Sequence, residues 1–498
     1  MPTVTINDRE VTVPRGTPII RAAAMVGVNV PHFCYHPALS APANCRMCLV
    51  EVERARKLEP ACYLKCTDGM VVHTESEKVI AARKAVLEFI LINHPVDCPI
   101  CDQAGECKLQ DYYMAYDAAP SRLRTPKVGK SKVYPIGPRV VYDGERCILC
   151  TRCVRFCDQI TGTSELTVVD RGDHSEIRTF PGQELDNPYS MNVTDICPVG
   201  ALTTRDFRFK CRVWLMSATD SICTGCSKGC NVHLEHFQGE VQRYRPRFNA
   251  EVNEYWMCDE GRMSYKKLHL DRVVETKLGS DEAMSWPRTA RQLGNALAGT
   301  SGKFALIVSA SQSNESLQAA KMFSDSCLGG ADAFWTGEAD GHSDELLIQS
   351  DKNANRAGVL AIFGDSIPSV NVLADKVNTY SGVIMVGHEL PFADSARESF
   401  LAAVAKLQHF VLLTAHDAAM AAKATAVLPI ATHAEQEGTY VNVDGIVQNA
   451  FAAFDSDGKS LPAWEVFVRL AAGMDKPLVA ATFDELQAHL YEAPDAAQ

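Results

Sequence analysis

The sequence lacks the features of a membrane-spanning, exported or nucleic-acid-binding protein. No apolar run approaches the length of a membrane span. The start, MPTVTIND, has neither the basic and apolar segments of a signal peptide nor the arginine-rich character of a transit peptide. Lys and Arg number 49 against 61 Asp and Glu, whereas phosphate binding requires clustered positive charge. We therefore expect a folded chain in a reducing compartment that binds no nucleic acid.

Motifs of substrate conversion are also missing from the second half of the chain. After about residue 273 there is no nucleophile elbow, no P-loop and no H-E-x-x-H motif. No G-x-G-x-x-G follows an apolar run, so there is no dinucleotide fingerprint. Histidines and carboxylates are scattered there, as on an ordinary solvated surface. We expect no catalytic residue in this chain.

Cysteine is abundant and unevenly distributed. Of 19 cysteines, 18 precede residue 259. Thiols stay reduced in a reducing compartment, so disulfides are rare there. Dense cysteines at short spacings therefore indicate metal ligands, with disulfides as the alternative.

The first residues predict a β-grasp module followed by a helix. Two alternating runs in residues 4–13 flank an Asn-Asp pair and predict a hairpin. A helix is predicted over residues 17–27, capped by its threonine. Strand-like runs follow at residues 48–53 and 71–74, and a second helix at residues 76–93 is capped by its serine.

The composition of the chain changes near residue 94 and again near residue 273. Residues 94–260 are rich in loops and predict modules that depend on bound clusters for stability. After about residue 273, apolar runs alternate with Ala-rich helical stretches, which predicts an α/β domain with a parallel sheet buried on both faces. The predicted strands are FALIVSA (304–310), VLAIFG (359–364), GVIMVG (382–387), FVLLTA (410–415) and AVLPIA (426–431).

The first cysteine set is Cys34, Cys45, Cys48 and Cys62, spaced C-x10-C-x2-C-x13-C. Four soft thiolates suit an iron–sulfur cluster or zinc. On a β-grasp module this pattern favours a [2Fe–2S] cluster, although the first gap is longer than in plant ferredoxins. Zinc is the alternative, and Cys66 could replace Cys62 as the fourth ligand.

The second set is His94, Cys98, Cys101 and Cys107, spaced H-x3-C-x2-C-x5-C. A neutral imidazole can bind iron, and it removes the negative charge that a thiolate would bring. The pattern predicts a [4Fe–4S] cluster with one histidine ligand, and Cys66 is the alternative to the histidine.

The third set is Cys147, Cys150 and Cys153 with the distant Cys197-Pro198. A C-x2-C-x2-C run with a remote C-P is the ligation pattern of bacterial [4Fe–4S] ferredoxins. Residues 158–196 contain no cysteine, so a second cluster lacks its ligands and Cys157 is a spare thiol.

The fourth set is Cys223, Cys226, Cys230 and Cys258, spaced C-x2-C-x3-C-x27-C. A zinc ribbon would more often show two C-x2-C pairs, so a [4Fe–4S] cluster is favoured over zinc. Glycines at 225 and 229 would relieve crowding where backbone N–H groups approach the sulfurs. Two cysteines have no partners in the sequence and are predicted to be ordinary buried thiols, namely Cys211 and Cys327.

Four clusters in one chain predict an electron conductor, because each cluster accepts and donates one electron. The motifs closely resemble the large iron–sulfur subunit of bacterial NADH:quinone oxidoreductase, respiratory complex I. The resemblance covers about residues 1–270 and rests on ANCRMCLVEV, NHPVDCPICDQAGECKLQD, CILCTRCVRFCDQITG and ICPVGALTTRDFRFKCRVW. It implies the ligand sets above, one [2Fe–2S] and three [4Fe–4S] clusters in all. The fourth cluster, through Cys258, occurs in only some members and lies off the main electron path.

The resemblance also implies partners, a reaction and a location. Electrons would enter from NADH through FMN in a flavoprotein subunit and leave through a further iron–sulfur subunit of the peripheral arm to quinone. The chain would act as a subunit of this translocating enzyme, without a substrate site of its own. It would lie peripherally on the cytoplasmic side of the bacterial inner membrane, connected only indirectly to the membrane arm.

The C-terminal half is similar to a degenerate molybdopterin oxidoreductase, through the segment HAEQEGTYVNVDGIVQ at residues 433–448. It has only about 225 residues, and this shortening predicts a structural domain without molybdopterin or a molybdenum ligand. The fold class is thus multidomain, α+β and α/β. The predicted domains are a [2Fe–2S] β-grasp (1–78), a His/three-Cys segment (79–118), a ferredoxin-like module (119–215), a molybdopterin-oxidoreductase-type [4Fe–4S] module (216–272) and the α/β domain (273–498).

Three rival functions stay open at this point. A molybdenum formate dehydrogenase would need a longer second half and a metal-binding cysteine, for which only Cys327 is available. The electron-transfer subunit of a soluble NAD-linked hydrogenase or formate dehydrogenase complex could carry nearly the same cluster motifs. A zinc scaffold would have no redox role at all.

Overall fold

The computed structural model describes residues 1–117, 119–279, 281–282 and 284–491. The chain divides into two units, Met1–Met216 and Ser217–Gln498. Within the described residues, no helix has the length and apolar character needed to cross a membrane.

The first unit is built from short elements joined by long loops. In chain order these are β1 (Thr3–Ile6), β2 (Arg9–Thr12), α1 (Ile19–Met25), β3 (Leu49–Val52), β4 (Glu59–Pro60), β5 (Met70–His73), α2 (Glu77–Leu91), α3 (Lys108–Tyr112), β6 (Tyr134–Pro135), β7 (Val140–Tyr142), α4 (Arg152–Gln159), β8 (Leu166–Val169), β9 (Glu176–Thr179), α5 (Asn192–Ile196) and β10 (Leu202–Thr204).

The N-terminal sheet has the strand order β2-β1-β5-β3-β4. β1 and β2 form the predicted antiparallel hairpin, and β1 also pairs with β5 in parallel. The turn residues Asn7 and Asp8 have φ values of 45° and 64°, the left-handed conformation that a two-residue hairpin turn requires and that Asn and Asp tolerate. The hairpin predicted from the sequence is confirmed.

Helix α1 closes this sheet from one side. Its buried Ile19 and Ile20 belong to one apolar cluster with Val4 and Ile6 of β1. The helix begins later than predicted, because Pro18 is the extended N-cap residue and Thr17 is outside the helix.

Short antiparallel pairs follow in the loop-rich part of this unit. β6, β7 and β10 form a small sheet in the order β10-β7-β6, and β8 pairs with β9. Helices α4 and α5 carry or precede cysteines of the third set, since Cys153 lies in α4 and Cys197 directly follows α5.

The second unit begins with a three-stranded sheet and continues into an α/β domain. Its elements are β11 (Ser217–Ile222), β12 (Asn231–Phe237), β13 (Glu240–Pro246), α6 (Asp259–Met263), β14 (Lys277–Leu278), β15 (Asp281–Glu282), α7 (Trp286–Ala298), β16 (Phe304–Ser309), α8 (Asn314–Cys327), β17 (Asp332–Thr336), α9 (Arg356–Phe363), α10 (Val370–Ala374), β18 (Gly382–Val386), α11 (Asp394–Val404), β19 (His409–Thr414), α12 (Ala418–Ala421), β20 (Ala426–Pro429), β21 (Gly438–Val441), β22 (Val447–Ala450), α13 (Ala463–Gly473) and α14 (Phe483–Tyr491).

The α/β domain contains a sheet in the order β15-β14-β20-β19-β18-β16-β17. β16 to β20 are parallel. Successive side chains along a strand point to opposite faces of the sheet, and each face packs in its own apolar cluster. Leu306 and Val308 of β16 pack in one cluster, whereas Ala305 and Ile307 pack in the other. The predicted parallel sheet with two buried faces is therefore present.

One predicted strand was wrong and one strand was missed. The run VLAIFG lies largely within helix α9, which buries Val359 and Ile362 on one face. A short apolar run fits either element, so periodicity alone could not separate them. Strand β17, with the sequence DAFWT, pairs in parallel with β16 and carries too few aliphatic residues to stand out in the sequence.

Candidate metal centres

The first cysteine set converges in the loop between α1 and β3 and just after β4. The thiol of Cys34 contacts those of Cys45 and Cys62, and the thiol of Cys48 contacts that of Cys62. The backbone N–H of Cys34 donates to Cys45 Sγ at 3.4 Å. These thiols hydrogen-bond so closely that they lower the pKa of Cys34 and raise the pKa of Cys62. Four thiolates this close would repel one another, so the four thiols cannot all lose their protons without a cation between them. Bound iron would supply that positive charge.

Backbone strain accompanies the cysteines of both the first and the third set. Ala43 and Arg46 have φ values of 54° and 60° beside Cys45, and Leu149 and Thr151 have 52° and 58° on either side of Cys150. The left-handed conformation costs a non-glycine residue about 1–3 kcal/mol and is commonly stored at functional sites. At the third set, the N–H of Leu149 donates to Cys147 Sγ at 3.4 Å.

The second set lies between α2 and α3. Cys98 opens a 3₁₀ turn in which the N–H of Cys101 donates to the Cys98 carbonyl at 3.1 Å. Cys107 is the N-cap residue of α3, and burial raises its pKa to about 11 while the neighbouring Cys101 thiol adds to the shift. Gly105 has φ = 90°, so the predicted tight loop between Cys101 and Cys107 is present.

His94 of the second set is a neutral, largely buried imidazole. Burial lowers its pKa to about 4, so the imidazole is neutral near pH 7. Its Nδ1 is buried and has no hydrogen-bond partner among the described residues. The structure places His94 beside Asp97 and Arg146, and Arg146 also lies beside the Cys101 thiol. A buried ring nitrogen without a hydrogen-bond partner fits iron ligation.

The third set surrounds a cavity of about 330 Å³. Its wall includes all four predicted cysteines, Cys147, Cys150, Cys153 and Cys197, together with the apolar Ile177. Burial raises the pKa of Cys150 to about 11 and that of Cys197 to about 12. A bound cation would favour removal of these protons, because burial opposes the thiolate form even with Arg152 on the cavity wall.

The fourth set surrounds a second cavity, of about 350 Å³, lined by Cys223, Cys226, Cys230 and Cys258. The N–H of Cys223 donates to the Cys230 carbonyl at 2.7 Å, which closes the loop between β11 and β12. Cys258 is the N-cap residue of α6.

Two glycines lie against the sulfurs of the fourth set. The N–H of Gly225 donates to Cys223 Sγ at 3.5 Å and that of Gly261 donates to Cys258 Sγ at 3.2 Å. A Cβ on Gly261 would lie 2.8 Å from Cys223 Sγ. The role of Gly261 was missed in the sequence, where the only signal was a glycine three residues after Cys258.

The hairpin β21–β22 supports the loop of the fourth set. It contains much of the segment similar to molybdopterin oxidoreductases. The amide Nε2 of Gln448 donates to the Gly229 carbonyl at 2.8 Å, and Asn442 Nδ2 donates to the Lys228 carbonyl at 3.3 Å. The N–H of Val443 donates to the Ser227 carbonyl at 2.8 Å.

The remaining cysteines lie outside these groups. Cys66 is buried near Cys48 and Cys62 in the N-terminal apolar cluster, but its pKa is raised by burial alone. Cys157 is fully buried and does not line the third cavity. Cys327 is buried as predicted, whereas Cys211 is only partly buried.

The donor sets fit iron–sulfur clusters in their chemistry. Among the residues that the structure describes, no three His, Cys or carboxylate side chains are grouped to hold a single metal ion. The cysteines of a [4Fe–4S] cluster bind different irons, so such ligands surround a cavity, as they do in the third and fourth sets. Thiolates, N–H groups directed at sulfur and an apolar wall are the surroundings that these clusters have in proteins.

A larger cavity of about 1850 Å³, open to solvent, lies in the second unit at the carboxyl ends of the parallel strands. Gln312, Glu389, His416 and Gln436 contribute to its wall. The side-chain oxygens Gln312 Oε1 and Gln436 Oε1 are buried without a hydrogen-bond partner in the described chain. The shortened domain thus has a cavity at the sheet edge where α/β proteins bind ligands.

Family models match nearly every part of the chain. A "2Fe-2S iron-sulfur cluster binding domain" matches residues 1–77, an "NADH-ubiquinone oxidoreductase-G iron-sulfur binding region" residues 83–122, and an "NADH-quinone oxidoreductase subunit 3, ferredoxin-like domain" residues 137–203. A "Molybdopterin oxidoreductase Fe4S4 domain" matches residues 216–270 and "Molybdopterin oxidoreductase" residues 286–472. The chain is thus an iron–sulfur protein with 2Fe-2S and 4Fe-4S binding domains and a molybdopterin-oxidoreductase-like region.

Among iron–sulfur proteins, the chain is similar to curated subunits of NADH-quinone and NADH-ubiquinone oxidoreductases. The G subunit of NADH-quinone oxidoreductase from Streptomyces coelicolor is 39% identical over 308 residues, 60% of this chain and 36% of the relative. The corresponding protein of Rickettsia bellii is 41% identical over 293 residues, 58% of this chain and 43% of the relative. The NADH-ubiquinone oxidoreductase 75 kDa subunit of Reclinomonas americana is 40% identical over 291 residues, 58% of this chain and 42% of the relative.

Over these aligned regions the chain is a homologue of the NADH-quinone oxidoreductase G subunit, and the resemblance seen in the sequence is confirmed. The alignments span about two-fifths of the length of these relatives. A solved structure of an NAD+-reducing [NiFe]-hydrogenase in the H2-reduced state also matches, with 27% identity and a TM-score of 0.39, over 43% of this chain and 91% of that chain.

Proposed function

We propose that this chain is an electron-transfer subunit of an NADH:quinone oxidoreductase. Electrons would reach it from a partner flavoprotein that holds FMN and NADH, and they would leave toward quinone through other iron–sulfur subunits. The main support is that each of the three four-cysteine sets has its thiols close together at one buried location. These sets lie within regions homologous to the large iron–sulfur subunit of that enzyme. The clusters would supply one-electron chemistry, and the chain supplies ligands, burial and hydrogen bonds to sulfur.

The proposed ligands follow the four sets. Cys34, Cys45, Cys48 and Cys62 would hold a [2Fe–2S] cluster on a β-grasp module. The three remaining sets would each hold a [4Fe–4S] cluster, with His94 as the single imidazole ligand. Backbone contacts support a close approach of the second and third sites, because the N–H of Lys108 donates to the Pro198 carbonyl at 3.2 Å.

The α/β domain is proposed to be structural, with neither molybdopterin nor molybdenum. Among the described residues, no cysteine lies on the wall of its large cavity, although Gly225 of the fourth-site loop does. Metal analysis of the purified chain that found stoichiometric molybdenum with pterin would contradict this part of the proposal and favour a formate dehydrogenase.

The experiment for the main proposal is the iron and acid-labile sulfide content of the chain purified without oxygen. We expect about 14 iron atoms per chain, the sum of one two-iron and three four-iron clusters. EPR of the dithionite-reduced protein should show both cluster types. A colourless chain with zinc and no EPR signal would refute the redox function.

Partner subunits separate the main proposal from its alternative. Purification of the tagged chain from its native membranes should bring down a flavoprotein and membrane subunits. Recovery with a soluble hydrogenase or formate dehydrogenase instead would favour the electron-transfer subunit of such a complex. Peripheral attachment at the cytoplasmic side of the inner membrane is part of the same proposal and is tested by the same fractionation.

A further inference from the structure

A buried arginine of helix α4 connects the backbones of the first and third cysteine sets. Arg155 Nη2 donates to the Cys34 carbonyl at 2.6 Å and to the Cys150 carbonyl at 3.1 Å. Its Nη1 donates to the Ser40 carbonyl in the same loop as Cys34. One guanidinium group therefore binds a ligand residue of each site.

A second arginine, one turn earlier in α4, repeats this connection. Arg152 Nη1 donates to the Ile196 carbonyl at 3.0 Å, and its Nη2 donates to the Tyr35 carbonyl. Ile196 directly precedes Cys197 and Tyr35 directly follows Cys34. Arg152 also lies on the wall of the third cavity.

The two arginine side chains are buried and bond backbone carbonyls, so they fix the positions of loops and do not serve as surface charges. Arg152 is 5% exposed and Arg155 is 8% exposed. Burying a cation is costly unless it is hydrogen-bonded, and here backbone carbonyls supply such bonds. A guanidinium has five donors in a rigid planar fork, so it can bind carbonyls of two loops simultaneously. In Arg155 the Nη2 nitrogen bonds the Cys34 and Cys150 carbonyls, and Nη1 bonds the Ser40 carbonyl. A lysine has one nitrogen on a shorter, flexible stem, so it cannot occupy both positions.

We propose that Arg155, with Arg152 beside it, is a positioning residue for electron transfer between the first and third sites. The inference rests on the proposed function. The arginines hold the two ligand loops at a fixed separation and provide a path of two hydrogen bonds and one guanidinium between Cys34 and Cys150. In the step they serve, the donor cluster loses one electron and the acceptor cluster gains one, and no proton or bond is exchanged.

The test compares three variants in the full-length chain, loaded with clusters and purified without oxygen. Arg155→Lys keeps the positive charge, but its ammonium ends one bond short of Nη2 and has no second nitrogen for the Ser40 carbonyl. Arg155→Met removes the charge as well. Arg205→Met is the matched control, because Arg205 also donates to a backbone carbonyl, Pro138 at 3.2 Å, but that contact is exposed and lies at neither site. Iron and sulfide content is measured first, then EPR-monitored redox titrations, then freeze-quench EPR after a pulse of one-electron reductant.

We expect all variants to retain wild-type iron and sulfide. In Arg155→Lys the midpoint potentials stay at the wild-type values, while equilibration between the two clusters slows by about tenfold. In Arg155→Met the equilibration slows similarly, and loss of the cation also lowers both potentials. The reduced-to-oxidised ratio at a fixed potential then falls by up to about tenfold, which corresponds to about 59 mV for one electron. Arg205→Met behaves as wild type.

Equal equilibration rates in wild type and Arg155→Lys, at equal cluster content, would overturn the inference. Loss of the first or third cluster from Arg155→Lys would also overturn it, since Arg155 would then be required for assembly rather than for the spacing of assembled sites. Neither outcome touches the proposed function, which fails only if the wild-type chain itself lacks iron and an EPR signal.

Discussion

Cys153 and Cys157 are one helical turn apart in α4, yet they face different surroundings. Cys153 lies on the wall of the third cavity, whereas Cys157 is buried outside it. Burial raises the pKa of Cys157 to about 12, and the nearby carboxylates of Glu165 and Asp158 add to the shift. A raised pKa is shared with the proposed ligand Cys197, so the pKa does not separate Cys157 from a ligand. What separates them is that Cys157 is outside the cavity where a bound cation would remove the proton.

Serine substitution at the two cysteines should therefore have different effects. We expect Cys153→Ser to lose the EPR signal of the third site and about four iron atoms per chain. Cys157→Ser should keep both, with a modest loss of stability from a buried hydroxyl. The two purified variants are compared by iron analysis and EPR. A loss of iron only in Cys157→Ser would show that Cys157 is the ligand and Cys153 is the spare thiol.

His433 in the second unit is a titratable group far from any proposed ligand in sequence. It is partly buried on the wall of the large cavity, and its Nε2 is 3.0 Å from the Tyr244 hydroxyl. Burial lowers its pKa to about 4, His416 lowers it further and Glu435 opposes the shift. The unfolded chain therefore binds a proton at this residue below about pH 6.5, whereas the folded chain does so only near pH 4.

This difference predicts a loss of stability in acid. The contribution of His433 is complete above about pH 6.5 and is lost as the pH falls through 6.5 toward 4, amounting to about 2 kcal/mol between about pH 7.5 and pH 5. His433→Gln keeps a hydrogen-bonding side chain that cannot titrate, so its urea midpoint should depend less on pH. Identical slopes for wild type and variant would show that His433 titrates normally.

At the scale of the element, helix α6 matters to the fourth site through its first turn. The turn starts at Cys258 and brings the N–H of Gly261 to the Cys258 sulfur. It also brings the Gly261 backbone so close to Cys223 Sγ that a side chain would lie at 2.8 Å. Because the sulfur and the helix backbone are both held by their own hydrogen bonds, neither can move freely.

A pair of alanine substitutions tests this packing. Gly261→Ala should displace Cys223 or the start of α6 and so abolish or strongly reduce the EPR signal of the fourth site. Gly225→Ala is the matched control, since its Cβ would lie at an ordinary 3.5 Å from the same sulfur. We expect Gly225→Ala to retain the signal. Normal spectra from both variants would mean that the loop accommodates the extra methyl group.

At the scale of the whole molecule, the chain combines two kinds of stabilisation. The α/β domain buries both faces of a seven-stranded sheet under helices. Residues 94–204 contain instead strands of two to four residues and helices of five to eight residues. Such short elements bury little surface, so metal binding should provide part of their folding free energy.

Cluster removal should therefore unfold the chain unevenly. After iron is removed by chelation under reducing conditions, we expect limited proteolysis to cut residues 94–204 rapidly. A fragment starting near α7 and continuing to α14 should resist, because its core contains none of the proposed ligands. Mass spectrometry of the digest, with the cluster-loaded chain as control, identifies the fragments. Equal resistance of both segments would show that the loop-rich part folds without its clusters.

Much of the fold was predictable where the signal is local. The hairpin around Asn7-Asp8 and the strands at FALIVSA, GVIMVG and FVLLTA follow from turn chemistry and from apolar runs within one element. Helix α9 and strand β17 were not predictable, because a short run becomes helix or strand according to what it packs against. Residues whose role depends on a distant neighbour, such as Gly261, had no adequate local signal.

The sequence by itself determined the chemistry of this protein, because soft ligands at spacings of two to five residues are brought together by local loops whatever the rest of the chain does. Only the tertiary structure decided which distant residues lie beside each of these local groups of cysteines. It placed Cys62 rather than Cys66 in contact with Cys34, and it left Cys157 outside the third cavity. It also set two arginines of one helix between two ligand loops. These arrangements depend on contacts between residues up to 121 positions apart, and the spacing of residues within a motif does not predict such contacts.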